Sequence, residues 1–443
     1  MTPPQWKEVD TTYVRVEFHA YSISLKSPCK FIAALVTGLV IPVVPATAAE
    51  TDGGSAGFRT LQVFEGERGT LPLSGLTAAA GKLFGSASHG GREGGGVLFT
   101  LLPESGALHG LHHFNGIDGR TPMEGLLVKD RAVYGATKSG GPRGHGVLYR
   151  LDRITGSYEV LHTFAAEAGN GFYPHSSPVR GGETLYGTTF HGGAGRWDGA
   201  LYAFDLRAME FRLLYSLTAE TGRHPLGRLL PLGDWLYGLA SDYGHHDAGH
   251  YGTLFRARPD GSAFEVLHRF EGGRRGSTPF GSLTHDGGDL LFGSTFGNVG
   301  DALDLGVVFS YNLATGEYRV LHAFTGEDDA GGKPDSPPLF DPARNRLFGT
   351  AQGTDNNAPG IAGILYSLRT DGTDFQILHT FSGGIAGGTP VGTPALVGNT
   401  LFGVAAHGGV EAFGRTRSAS GRGIIYRFGL GETVVSTTKT RLD

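Results

Sequence analysis

The chain has 443 residues, 75 of them glycine, and a formal net charge of −5 with only 18% charged residues. Glycine far above its usual ~7% share points to many turns, and the near-balanced charge, without long basic runs, argues against a nucleic-acid surface. The one cysteine, Cys29, rules out an intramolecular disulfide and a thiolate metal site.

In chain order, residues 1–25 form a polar extension that is non-structured or reflects a start codon placed too early. Residues 26–49 have the pattern of a signal peptide. Lys26 and Lys30 lead into the apolar run Phe31–Pro45, and Ala46-Thr47-Ala48-Ala49 supplies a small-residue cleavage site. The run is short for a spanning helix, so the expectation is cleavage and export to the periplasm or the extracellular space, with no membrane attachment afterwards. An uncleaved N-terminal anchor is the alternative. Cys29 precedes the apolar run, whereas a lipid-attachment cysteine would follow it.

From Phe58 to Phe428 one pattern of roughly fifty residues recurs seven times, the period of stacked or ring-forming β-units. Each copy has a proline in a Gly-rich turn: Pro72, Pro122, Pro174, Pro225, Pro279, Pro334 and Pro390. Each has a glycine inside an aliphatic-aromatic strand: Gly85, Gly135, Gly187, Gly238, Gly293, Gly349 and Gly403. Each has a second aromatic with a glycine three positions before it: Phe99, Tyr149, Tyr202, Phe255, Phe309, Tyr366 and Tyr426. A Val-Leu-His-x-Phe-like strand completes the unit. In the third copy the four strand signals read 177–180, 184–188, 200–205 and, from the copy before, 158–164. Short β-branched and aromatic runs between turn residues are strands, and no twelve-residue stretch of the mature chain has helical periodicity.

The expected fold is therefore all-β, a seven-bladed β-propeller of four-stranded antiparallel blades over residues 58–428. The opening segment Phe58–Phe64 has the pattern of an outermost strand, and the last copy ends on a third strand, Gly423–Phe428. The N-terminal strand is thus expected to complete the last blade and close the ring, which removes two exposed edges. Residues 429–443 are a polar tail without an apolar anchor, and a monomer is expected.

Leu185-Tyr186-Gly187-Thr188-Thr189 and Val160-Leu161-His162-Thr163-Phe164 resemble the consensus of the GloVer tandem repeat of exported bacterial proteins, over nearly all of the mature chain. The strand order is also similar to that of kelch, NHL and YVTN propellers. The resemblance implies the fold and an exported protein, and it implies no activity.

His112, His162, His268, His322 and His379 repeat in one register, with Gln62 and Tyr215 in the same place, and a residue repeated blade after blade is expected to be architectural, bonding to a neighbouring turn. The turns that emerge on one face are more varied. They carry His89, His145, His175, His191, His224, His245, His246, His250 and His407 in blades 1–4 and 7. Blades 5 and 6 offer Asp301, Asp304, Glu327, Asp328, Asp329, Asp335 and Asp355. A histidine arc facing a carboxylate arc would bind a ligand or supply acid and base groups near neutrality. His89, His145, His191, His245, His246, His250 and His407 are the candidate binding residues. His245, Asp247 and His250, with Asp328 and Asp329, are candidates for a divalent metal, although neither loop has the fixed geometry or acid spacing of known sites. The leading expectation is a binding module for a protein or glycan ligand. A lyase or hydrolase using loop-face histidines and a divalent metal is the alternative.

Overall fold

In the computed structural model the described residues are 57–167, 169–243, 249–297, 304–326, 331–353, 362–409 and 422–431. The expected extension and signal peptide, residues 1–25 and 26–49, and the end of the tail lie outside them. The repeats form seven antiparallel blades of four main strands each; the second blade has its inner strand split into Arg120–Pro122 and Leu127–Lys129, and a short pairing of Gly171–Phe172 with His191–Gly192 is added beside the third. Blade 3 contains Val179–Gly181, Thr184–Thr189, Ala200–Asp205 and Glu210–Ser216. This corrects one assignment, because Tyr158–Thr163 is the outer strand of blade 2, paired with Val147–Asp152. A strand following a hairpin turn of its own copy pairs there before it can reach the next sheet. No described helix is long and apolar enough to cross a membrane.

The N-terminal strand Phe58–Val63 lies antiparallel to Ile424–Gly429, with Phe58 opposite Phe428 and Val63 opposite Ile424. It completes blade 7 and closes the ring. Two further contacts tie each blade to the next. The glycine before each second aromatic sits against the proline of the following blade. A Cβ on Gly252, at φ 103°, would come 2.3 Å from Pro279 Cδ, and one on Gly423 would come 2.4 Å from Pro72 Cδ across the closure. The residue before each of these prolines is left-handed although it is not glycine: Leu71, Thr121, Tyr173, His224, Thr278, Lys333 and Thr389 all have φ between 53° and 57°. That conformation is uncommon outside glycine, and here it recurs around the face that bears the variable turns.

The core is layered between blades. Seven clusters of buried side chains occur among the described residues, one at each joint. At the closure Phe64, Phe402 and Ile425 of blade 7 pack on Leu76 and Phe99 of blade 1. At the joint of blades 2 and 3, Tyr134 and Leu161 pack on Leu185 and Tyr202. The strand glycines exist because the second aromatic lies across them; a Cβ on Gly187 would be 2.4 Å from Tyr202 Oη.

The Val-Leu-His segment encodes a β-bulge. Pairing of the outer strand slips between Val160 and His162, and an equivalent slip occurs in every blade. Alternation would send Leu161 and His162 to opposite faces, and the extra residue lets both face the next blade. Leu161 enters the inter-blade core, while His162 lies flat on Phe211 of blade 3, with ring centroids 3.9 Å apart and an interplanar angle of 5°. The repeated histidines are architectural as expected, but the main device is stacking. His112 on Tyr158, His268 on Tyr318, His322 on Phe375 and His379 on Phe58 repeat it at 3.7–4.0 Å, and Tyr215 on Phe264 does so at 4.1 Å. Bonding to a neighbouring turn is added, as from His112 Nε2 to Asp118 at 2.9 Å and from His162 Nε2 to Asn170 at 3.2 Å.

Candidate functional site

On the loop face, blades 2–4 bring together His145, His175, His191 and His224 through a set of aromatic rings. Phe172 and Tyr173, entering blade 3, lie with centroids 5.3 Å from His145, and Phe172 lies 5.2 Å from His191. Phe190, at the end of the second strand of blade 3, has His175 on one side at 4.9 Å and His224 on the other at 4.5 Å. Its neighbour His191 is 5.4 Å from His224 and meets Trp197 edge-on at 5.0 Å.

The turn carrying Trp197 orients two of these rings. The Trp197 carbonyl accepts a hydrogen bond from His191 Nδ1 at 2.9 Å and from His224 Nε2 at 2.8 Å. His191 therefore keeps Nε2 for solvent or ligand. His224 is buried, whereas the Trp197 side chain is 54% exposed, with the Arg196 guanidinium over its ring at 5.3 Å. Trp197 was not among the residues singled out above. Its only signal was its position in a turn with no tryptophan in the other copies.

Lys138 stands beside the cluster. Burial lowers its pKa, and it makes no hydrogen bond or ion pair with any described group. Burial pushes His175 down to about 3, and Lys138, His191 and His224 push it the same way. His191 is lowered chiefly by burial, with the Trp197 carbonyl and Asp198 opposing. His175 and His191 remain neutral near neutral pH, beside the Lys138 ammonium.

The other candidates fall elsewhere. His89 is exposed at the closure of blades 7 and 1, where it lines a cavity of about 750 Å³ with Glu65, Glu67, Arg68 and Arg422. His407 is exposed opposite Gly388. No described ring contact joins either of them to the cluster of blades 2–4. His250 lies near Asp242, whose buried carboxylate takes Arg223 at 3.1 Å. His245, His246, Asp247, Asp328 and Asp329 lie outside the described residues. Among the described residues, no group of three His, Cys, Asp or Glu side chains is placed to hold a metal ion.

A second polar set occupies the ring axis. The residues two and three after each repeat proline contact one another from blade to blade. Glu124 bridges Ser176, Ser176 Oγ donates to Gly227 O at 3.1 Å, and Thr393 Oγ1 donates to Pro337 O at 2.7 Å. Most of these positions hold Ser, Gly, Thr or Pro. Glu124 and Arg228 break the rule, and Asp335 stands next to it. Arg228 reaches from blade 4 to blade 2, so that a Cβ on Gly125 would sit 3.1 Å from its Cδ, and its covered Nε has no hydrogen-bond partner. Burial pushes the Glu124 carboxyl up to about 8; Asp335 adds to this and Arg228 opposes it. Asp335 rises to about 6, again through burial, although it accepts hydrogen bonds from Gly392 N–H and Gln352 Nε2, each at 3.2 Å. Sequence reading found Asp335 but passed over Glu124 and Arg228. A register comparison would have exposed them, as large charged residues where the other copies are small.

The comparisons with known proteins agree with this fold. A family model described as the Gloeobacter/Verrucomicrobia repeat matches residues 47–251, 132–360 and 246–417. No curated protein matches the sequence. Among solved structures, an oligogalacturonate lyase in complex with manganese superposes with a TM-score of 0.52 at 15% identity, covering 86% of this chain and 95% of that one. An oligogalacturonate lyase from Vibrio parahaemolyticus gives 0.50 at 15% identity, covering 85% and 94%. TolB from Acinetobacter baumannii gives 0.42 at 14%, covering 68% and 63%. At such identities the likeness is one of fold alone.

Proposed function

We propose, for a chain that belongs to the Gloeobacter/Verrucomicrobia repeat family, the role of an exported binding module that takes a glycan on its loop face. Export rests on the leader pattern of residues 26–49. The observation that carries the ligand class is Trp197, an indole more than half exposed and flanked by Arg196 and His191. The face of an aromatic ring is electron-rich and matches the weakly positive C–H face of a pyranose, while flanking N–H donors suit its hydroxyls. A protein partner would call for a continuous apolar core in the contact area. The other exposed large apolar residues, such as Ile117, Ile154 and Met209, belong to separate turns and are scattered. The alternative, a lyase or hydrolase with a divalent ion, rests on His245, Asp247, His250, Asp328 and Asp329, of which only His250, near Asp242, is among the described residues.

The test is a screen of purified protein against immobilised oligosaccharides, followed by calorimetric titration of the hits. Trp197→Ala is expected to weaken binding about tenfold or more, with an unchanged melting curve. An absence of glycan binding, or equal binding by the variant, would overturn the proposal.

A further inference from the structure

Resting on that glycan reading, we infer that the ligand is acidic: a sugar whose ring carries a carboxylate, held by Lys138 beside His175 while Trp197 takes the ring face and His191 accepts from a ring hydroxyl. The molecule is negative overall, at −5, yet this corner of it is positive. Lys138 ends the second strand of blade 2, a register held in the other blades by Ser88, Phe190, Ser241, Phe296, Gln352 and Ala406. It is thus the one cation of a sevenfold set.

The ammonium group has a lowered pKa from burial and no described counter-ion. A long, rotamer-rich side chain held half-buried without an ion pair carries both a desolvation and an entropic penalty. Across the cluster, the charged or titratable neighbours felt by His175 are Lys138, His191 and His224, with no carboxylate among them. Asp198 is felt only by His191, and Glu167 on the adjoining turn is paired with Arg143. Arg196 adds a further positive charge over the indole. The arrangement has the charge of an anion site. A partly desolvated ammonium forms strong charge-assisted hydrogen bonds to a carboxylate, and the apolar ring surface beside it rules out a small hydrated anion as the best fit. Because Nδ1–H is donated to the Trp197 carbonyl, the neutral His191 presents Nε2 as an acceptor, suited to a hydroxyl of the same sugar.

The experiment titrates the full-length protein with a uronic-acid oligosaccharide and with its carboxyl-reduced neutral counterpart, at low and at moderate salt. The expected result is a preference of about tenfold or more for the acidic sugar, diminished by salt. Lys138→Met should remove most of that preference, while Lys138→Arg should retain it. Matched melting curves guard against misfolding of either variant. Equal affinity for the two sugars, or a preference untouched in Lys138→Met, overturns the acidic-ligand inference and leaves the glycan reading standing. Binding of neither sugar overturns both.

Discussion

On the outer rim, five histidines share one register, and each lies flat on an aromatic ring of the following blade at 3.7–4.0 Å. On the loop face, His145, His175, His191 and His224 come from different registers, and they meet only where blades 2–4 adjoin, at tilted and edge-on angles except for His224, which stacks on Phe190. The first set is copied because every joint poses the same packing problem. The second cannot be copied, since it depends on Phe172, Trp197 and Lys138, each present once in its register. Repetition marks what holds the wheel together, and departure from the repeat marks what distinguishes one sector from the others. The axis follows the same rule, with Glu124 and Arg228 in a collar of small residues.

The largest test of this contrast sets His162→Ala against His191→Ala. His162 stacks on Phe211, meets Phe164 edge-on and bonds to Asn170. Its removal loses an aromatic pair and leaves a hole at a joint, expected to cost about 2 kcal/mol of unfolding free energy. His191 is half-exposed and is held by one bond to a carbonyl, so its loss should cost less than about 1 kcal/mol while weakening glycan binding. Urea unfolding and calorimetry on the two variants read both effects. Equal destabilisation would dissolve the distinction between the two regions.

Rim and axis should also respond oppositely to pH. On the rim, burial pushes His379 down to about 4. Between about pH 4 and 6.5 the unfolded chain takes up a proton that the native imidazole refuses, so this contribution to stability is lost as pH falls. On the axis, Glu124 is raised from 4.5 to about 8. Between those values the native protein holds a proton that the unfolded chain has released, so stability is lost as pH rises. Glu124→Gln is expected to flatten the alkaline side alone. The gain at pH 8.5 over the wild type should be about 1–2 kcal/mol, reduced by water in the axial space. Urea midpoints at pH 5.5 and 8.5 measure it, and a variant equally destabilised at both values would contradict the assignment.

The wheel was legible in the sequence because its three anchors answer to steric contacts that every blade repeats. Gly187 lies beneath Tyr202, and Gly252 abuts Pro279. The closing strand was legible because Phe58–Phe64 carries the outer-strand pattern with no blade before it. The rim stacks were half-legible: the histidine was read, but not its partner, because Phe211 lies one copy further along the chain. The loop-face cluster was legible only as residue types. Nothing in the spacing of His175, His191 and His224 shows that all three meet around Phe190, and Lys138 gave no sign of lacking a partner. Glu124 and Arg228 were missed because a strong consensus draws attention to what is shared.

The smallest and sharpest test lies at the closure, the one joint where the rim stack is missing. Gln62 occupies the histidine register, and Leu108 the aromatic one. In place of a stack, Gln62 Nε2 donates to Gly106 O at 2.8 Å. The two departures belong together, since a histidine opposite Leu108 would have no ring to lie on. If each stack is a pairwise device, Gln62→His or Leu108→Tyr alone should be neutral to mildly destabilising. The double variant should recover about 0.5–1.5 kcal/mol of coupling energy in a double-mutant cycle. Additive single effects would mean that the rim histidines act through their bonds to turns rather than through their rings. A positive coupling would make the closure the seventh copy of a joint already present six times.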